Sequence, residues 1–249
     1  MHASAALLAL APGLALGSFL NVVAARLPRR RSLARPGSAC VSCEAPVAWY
    51  DNVPLVSYLV LRGRCRSCSA RIGLRYPAVE LVTALLVAAC FLVFGLSLDA
   101  VVAAFFCAAL VAISAIDLEH RIIPNLIVLP AAAVVVVANT LLHPGIEWAL
   151  AGLGCAAFLF FAVLAYPAGM GMGDVKLALL LGAALGRTAP IALMIGMLGA
   201  LVPAVVLFAR HGSAARKMAI PFGPFLALGG AIALFVGDHL LDFYLETWG

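Results

Sequence analysis

The stretch "YPAGMGMGDVKLALLLGAALG", residues 166–186, puts an aspartate and a lysine two residues apart at the mouth of an apolar helix, behind alternating glycines. Ionisable groups are costly at membrane depth and mark functional positions when they occur there. The chain around this stretch is 65% hydrophobic and 11% charged, with a mean hydropathy of +1.12. Soluble globules carry roughly 25% charged residues, so the composition excludes a chain that is soluble throughout and predicts an all-α integral membrane protein. Runs near the ~20 residues needed for one crossing fall at 5–25, 77–97, 99–117, 122–142, 148–166, 174–187, 190–209 and 222–244. The expected architecture is therefore about eight transmembrane helices. The sixth is short for a full crossing, and protein rather than lipid is expected to line its start.

Charge orients this bundle. Residues 26–75 hold ten arginines against Glu44 and Asp51, whereas the rest of the chain is net acidic. Positive loops stay in the cytoplasm, which sets 26–75 inside and the N-terminus outside. His120, Arg121, Arg210, Arg216 and Lys217 follow the same count, and Arg187 is the exception. The first run lacks a basic flank before it and has one after it, so it reads as a retained helix rather than a cleaved signal. The basic loop contains no nucleic-acid module. It is read as an orienting segment that touches anionic headgroups, with membrane lipid and not nucleic acid as its partner.

The same loop carries "CVSC" and "CRSC", that is Cys40, Cys43, Cys65 and Cys68, with 21 residues between the two pairs. Two such knuckles complete a tetrahedral four-thiolate site, the signature of structural zinc. Cytoplasmic thiols stay reduced, and Arg62, Arg64 and Arg66 are expected to favour the thiolates. A segment this small needs such a staple to fold. Cys90, Cys107 and Cys155 lie in apolar spans and read as buried hydrophobes. The expected domains are a first transmembrane helix at 1–25, a cytoplasmic zinc-binding domain at 26–76 between the first and second spans, and a membrane-embedded remainder at 77–249.

Two carboxylates stand out in that remainder. Asp117 closes the third span in "AISAIDLEHRIIPN", and Asp174 opens the sixth in "GMGDVKL". Two crossings separate them, so both lie at the cytoplasmic end and topology allows them to meet. Paired carboxylates divide acid and base roles, one ionised to activate water and one protonated to donate to a carbonyl and leaving amine. Gly169, Gly171 and Gly173 would admit an extended backbone beside Asp174, and Lys176 would tune the pair. The plainer readings are a helix cap for Asp174, an interfacial position for Asp117, a packing surface for the glycines and a snorkelling Lys176. Asn21 is expected to hydrogen-bond between helices, and Glu80 to pair with Arg71 or Arg75. A transporter or scaffold with a zinc-bound cytoplasmic cap is the alternative. Transporters, however, keep charged sites near the midplane and show internal repeats, and no repeat is visible here.

Taken together, these motifs resemble the bacterial type IV prepilin peptidases, GxGD-type intramembrane aspartic proteases. The likeness runs over nearly the whole chain: "GSFLNVVAARLP" (17–28), "CVSCEAPVAWYDNVPLVSYLVLRGRCRSC" (40–68), "RYPAVELVTAL" (75–85), "DLEHRIIPN" (117–125), "GMGDVKL" (171–177) and "IPFGPFLALGG" (220–230). The resemblance implies Asp117 and Asp174 as the catalytic pair and prepilins or pseudopilins as substrates. It implies a cut after the glycine of a short basic leader, at the cytoplasmic face of the cell membrane. It also implies N-methylation of the new N-terminal residue with S-adenosylmethionine, for which Glu80 is the one candidate contributor.

Overall fold

A computed structural model describes residues 2–166, 170–212 and 220–248. Nine α-helices occur among them: α1 (His2–Arg26), α2 (Val56–Val60), α3 (Arg75–Phe94), α4 (Leu98–His120), α5 (Asn125–Leu142), α6 (Glu147–Ala165), α7 (Met172–Leu185), α8 (Ala189–His211) and α9 (Gly223–Trp248). No strand forms among the described residues beyond two isolated bridges, Ala39 with Pro46 and Arg64 with Arg71. The chain is an all-helical, multi-pass membrane protein, with a four-cysteine loop between its first and second long helices.

Among the described residues, seven stretches are long and apolar enough to cross a membrane, and the longest, Met172–His211, has 40 residues. A continuous helix of that length would rise about 60 Å, twice the ~30 Å hydrocarbon core. It is instead two helices, α7 and α8, broken by a 3-10 turn at Gly186–Thr188. Gly186 has φ +54°, a left-handed conformation that glycine adopts without strain. The eight apolar segments expected from the sequence are thus α1 and α3 to α9. The sixth, α7, has only 14 residues. Large apolar side chains such as Leu8, Phe161, Leu201 and Phe243 remain exposed, as a lipid-facing surface requires.

The chain forms two compact units, Met1–Ala115 and Ile116–Gly249, with the boundary inside α4. In the first, α1 lies along α3. Gly13 and Gly17 make the contact possible: a Cβ at Gly17 would stand 2.6 Å from Glu80 Cα, and one at Gly13 2.8 Å from Ala84 Cα. This is the small-xxx-small seam by which apolar helices approach backbone to backbone. Asn21 Nδ2 donates to the Tyr76 carbonyl at 3.0 Å, the interhelical bond expected of it. In the second unit α7 is the central element, packed on α5, α6 and α9. The buried Asn139 of α5 donates to the Ala183 carbonyl of α7 at 3.1 Å.

Candidate active site and metal cluster

Three segments of the second unit converge at one end: the last turn of α4, the first turn of α7 and the start of α9. Asp117 sits on α4 one turn before the helix ends. Arg121 closes that end, donating its N–H to the Asp117 carbonyl at 2.9 Å with φ +54°. Asp174 is the third residue of α7. Its carboxylate Oδ2 accepts the Gly171 N–H at 3.1 Å, while its own N–H donates to the Gly171 carbonyl. Asp174 therefore caps the helix from within its first turn rather than standing at the N-cap itself.

Both carboxylates are shielded, Asp117 at 5% exposure and Asp174 at 8%, and they lie within electrostatic reach of each other. Asp117 Oδ2 accepts the Gly223 N–H at 3.1 Å. Ile123 bridges the two sides of the site: a Cβ at Gly173 would lie 3.0 Å from its Cβ, and one at Gly223 3.3 Å from its Cδ1. Lys176 Nζ donates to Asn125 Oδ1 at 2.8 Å, which ties the start of α7 to the start of α5. His120 Nε2 is buried, 3.6 Å from Glu119 Oε1. Arg187, the exception to the charge count, pairs with Asp238 at 2.9 Å. Gly169, Arg216 and Lys217 lie outside the described residues.

Gly223, Ile123 and Asn125 were not singled out in the sequence as site residues. The available signals were the glycine between prolines in "IPFGP" and the residues flanking Pro124 in "RIIPN". Two shielded carboxylates, each held by a backbone N–H and bordered by glycines, can divide acid and base roles between them. Such a pair can activate water on one side and protonate a leaving group on the other.

The four cysteines of the first unit come together. Their Sγ atoms all lie within 4.8 Å of one another, with Cys40 to Cys68 at 3.8 Å and Cys43 to Cys65 at 4.0 Å. Four sulfurs at ~2.3 Å from a tetrahedral zinc stand about 3.8 Å apart. The two knuckles share one backbone design. Cys40 N–H donates to Ala45 and Cys65 N–H to Ala70, both at 2.9 Å, and Glu44 and Ser69 take the same left-handed turn. Backbone N–H groups of Cys43 and Ser42 lower the Cys40 thiol to about 6. The Ala70 N–H also pulls Cys68 down, but the Cys43 thiol, burial, and the Cys65 and Cys40 thiols outweigh it and push Cys68 up to about 12. Four thiols this close shed their protons together only around a cation, so the donor set fits a tetrahedral metal ion. Arg66, expected to support the thiolates, instead grips Asp51, with Nε to Oδ2 at 2.7 Å and Nη2 to Oδ1 at 2.6 Å. That guanidinium holds the Asp51 carboxyl below its usual range.

Glu80, on the inner side of the same unit, accepts the Leu55 N–H at 2.9 Å and has Ser18 as a further hydrogen-bond partner.

This combination, a polytopic helical membrane protein with a shielded carboxylate pair and a four-cysteine loop, defines a class of membrane-embedded acid–base enzyme. Residues 12–94 match the model of the bacterial peptidase A24 N-terminal domain, and residues 104–210 that of the type IV leader peptidase family. Proteins described as prepilin leader peptidase/N-methyltransferase are similar along almost the full length. The one from Pseudomonas aeruginosa is 36% identical, over 95% of this chain and 92% of its own. The one from Bacillus subtilis is 36% identical, over 94% and 95%, and one from Burkholderia pseudomallei 38%, over 95% and 86%. The chain belongs to the type IV leader peptidase family. No solved structure matches it significantly.

Proposed function

We propose that this protein is an intramembrane aspartic endopeptidase that removes the short basic leader of type IV prepilins or pseudopilins. The cut falls after a glycine at the cytoplasmic membrane face, and the enzyme then N-methylates the new N-terminal residue. The observation that carries the peptidase reading is the pair of shielded carboxylates, Asp117 and Asp174, each fixed by a backbone N–H donor. One carboxylate takes the proton of the attacking water. The other, protonated, donates to the scissile carbonyl oxygen and then to the departing amine. Gly171 leaves room for the substrate backbone beside Asp174, whereas the bare face of Gly173 is taken by Ile123, and Lys176 fixes that rim through Asn125. The relatives' printed names support both activities, and they give no support to a transporter or a scaffold.

The arginines of 26–75 and the even number of helices between the two aspartates support a cytoplasmic-facing site in the cell membrane. In the division of labour we propose, 1–25 anchors the chain, 26–76 is the metal-stapled loop tied to methylation, and 77–249 is the peptidase part. The metal assigned to Cys40, Cys43, Cys65 and Cys68 is zinc. With all four positions filled by thiolates it folds the loop and leaves no open coordination site. S-adenosylmethionine is the methyl donor.

The test is co-expression with a type IV prepilin from the same genome, with leader loss followed by mass spectrometry. Asp117→Asn and Asp174→Asn, each inserted normally, are expected to lower the rate by at least the ~10²–10⁴-fold of a lost acid–base group. Wild-type rates in either variant would refute the two-carboxylate mechanism. Added mass of one methylene on the mature N-terminus reports methylation in the same spectra.

A further inference from the structure

We propose that a cavity in the first unit is the binding site of the methyl donor, S-adenosylmethionine, and that Glu80 is the carboxylate facing its sulfonium. The inference rests on the methyltransferase half of the reading above and gives it a site. The cavity has a volume of about 520 Å³, within the roughly 300–1,000 Å³ of small-molecule sites. It lies between the C-terminal half of α1, the first turns of α3 and the four-cysteine loop, and Cys40 and Cys65 form part of its wall. A metal ion on the cysteines would thus fold one side of the cavity.

The lining suits a ligand with three unlike parts. Tyr58 and Tyr76 are among the lining residues, as is Tyr50, whose ring already carries the Arg66 guanidinium 5.6 Å from its centroid; aromatic rings stack on a purine and attract cations. Arg71 contributes a guanidinium, the natural partner of the donor's own carboxylate. Glu80 contributes a carboxylate, and the other acidic side chain of the lining, Asp51, is held by Arg66. A sulfonium has a fixed positive charge and no N–H or O–H to donate, so it is recognised by negatively charged oxygens and by aromatic faces. Glu80 is held for this task from three directions: the Leu55 N–H of the loop at 2.9 Å, Ser18 of α1, and the close approach of Gly17 to its Cα.

In the step served by this site, the free α-amine of the trimmed substrate attacks the methyl carbon. A nitrogen–carbon bond forms, and the carbon–sulfur bond breaks with both electrons remaining on sulfur. The surplus proton on nitrogen passes to water, leaving a methylated amine and S-adenosylhomocysteine. The sulfur is then neutral, so the attraction to Glu80 is lost and the product is released.

The test measures equilibrium binding to the full-length protein in lipid nanodiscs, with S-adenosylmethionine and S-adenosylhomocysteine as separate probes. Glu80→Gln is expected to weaken the charged donor on the order of tenfold or more, as for a lost charged contact, and the neutral thioether by less than about threefold. Equal losses for both probes, or none, overturn the role of Glu80. If wild type binds neither probe, the site and the methyltransferase reading both fail, while leader cleavage by the same preparation reports on the peptidase reading separately. Ultraviolet crosslinking of methyl-labelled donor to wild type does not depend on how the variant folds. Label is expected in peptides from 38–80, and label confined to 116–249 overturns the assignment.

Discussion

Gly223 shows how little room the carboxylate site leaves. Its N–H donates to Asp117, and a Cβ on it would fall 2.8 Å from the same carboxylate oxygen. That oxygen cannot retreat without losing its hydrogen bond or its place opposite Asp174. Gly223→Ala is therefore expected to cost more in activity than in folding. Leader cleavage should fall by about tenfold or more, the price of a modest displacement at the reacting groups, while membrane insertion and thermal stability stay near wild type. Cleavage rate and Tm measured on the same preparation check this, and an unimpaired rate would show that Asp117 does not work from the position it holds here. Asp117 and Asp174 were legible in the sequence because each stands in a short motif, "DLEHRIIPN" and "GMGDVKL", whose resemblance singled it out from other carboxylates at helix edges such as Asp99 and Glu147. Gly223 was not, because a glycine at the start of a helix has many ordinary reasons to be there and its partner is 106 residues away.

At the scale of the element, α7 is too short to owe its place to lipid alone. Its 14 residues rise about 21 Å, and it is held by α5, α6 and α9. The α6–α7 contact is backbone to backbone: a Cβ at Gly182 would collide with the Ala151 carbonyl, and one at Gly152 would stand 3.1 Å from the Leu179 carbonyl. Gly182→Val forces those helices apart. Overpacking of this kind costs about 1–3 kcal/mol, so a lower Tm in detergent is expected, together with reduced leader cleavage because α7 carries Asp174. A Tm equal to wild type would mean that the seam yields. Hydropathy located each of these helices, since a run of apolar residues is a local property. The seams escaped sequence reading because alternating small residues are common in such helices, and only the partner's approach shows which of them matter.

At the scale of the whole molecule, the two units are expected to respond differently to metal removal. The four-cysteine loop has few apolar contacts of its own, and residues such as Trp49, Leu59 and Leu74 are exposed. Its fold therefore depends on the cation. Treatment with a strong chelator is expected to unfold the loop backbone so that trypsin cuts at its already exposed arginines, and to abolish methyl transfer, while leader cleavage persists. Limited proteolysis beside both activity assays checks this. A loop that stays resistant after verified metal loss would remove the structural role assigned to the metal.

Composition, loop charge and motif spacing by themselves determined that the chain lives in a membrane, that four cysteines form one cluster and that Asp117 and Asp174 share a side. These follow from local quantities: hydropathy per span, arginines per loop, and the parity of crossings between two residues. The tertiary structure alone decided that Gly223 holds Asp117, that Ile123 spans the site, that Lys176 binds Asn125 and that Glu80 accepts the Leu55 N–H at the wall of a cavity. Each of those depends on which backbones approach most closely. Between lipid-embedded helices that choice is made by shape and hydrogen bonding at a few small residues, and it is carried by pairs of positions far apart in the chain rather than by any one stretch of it.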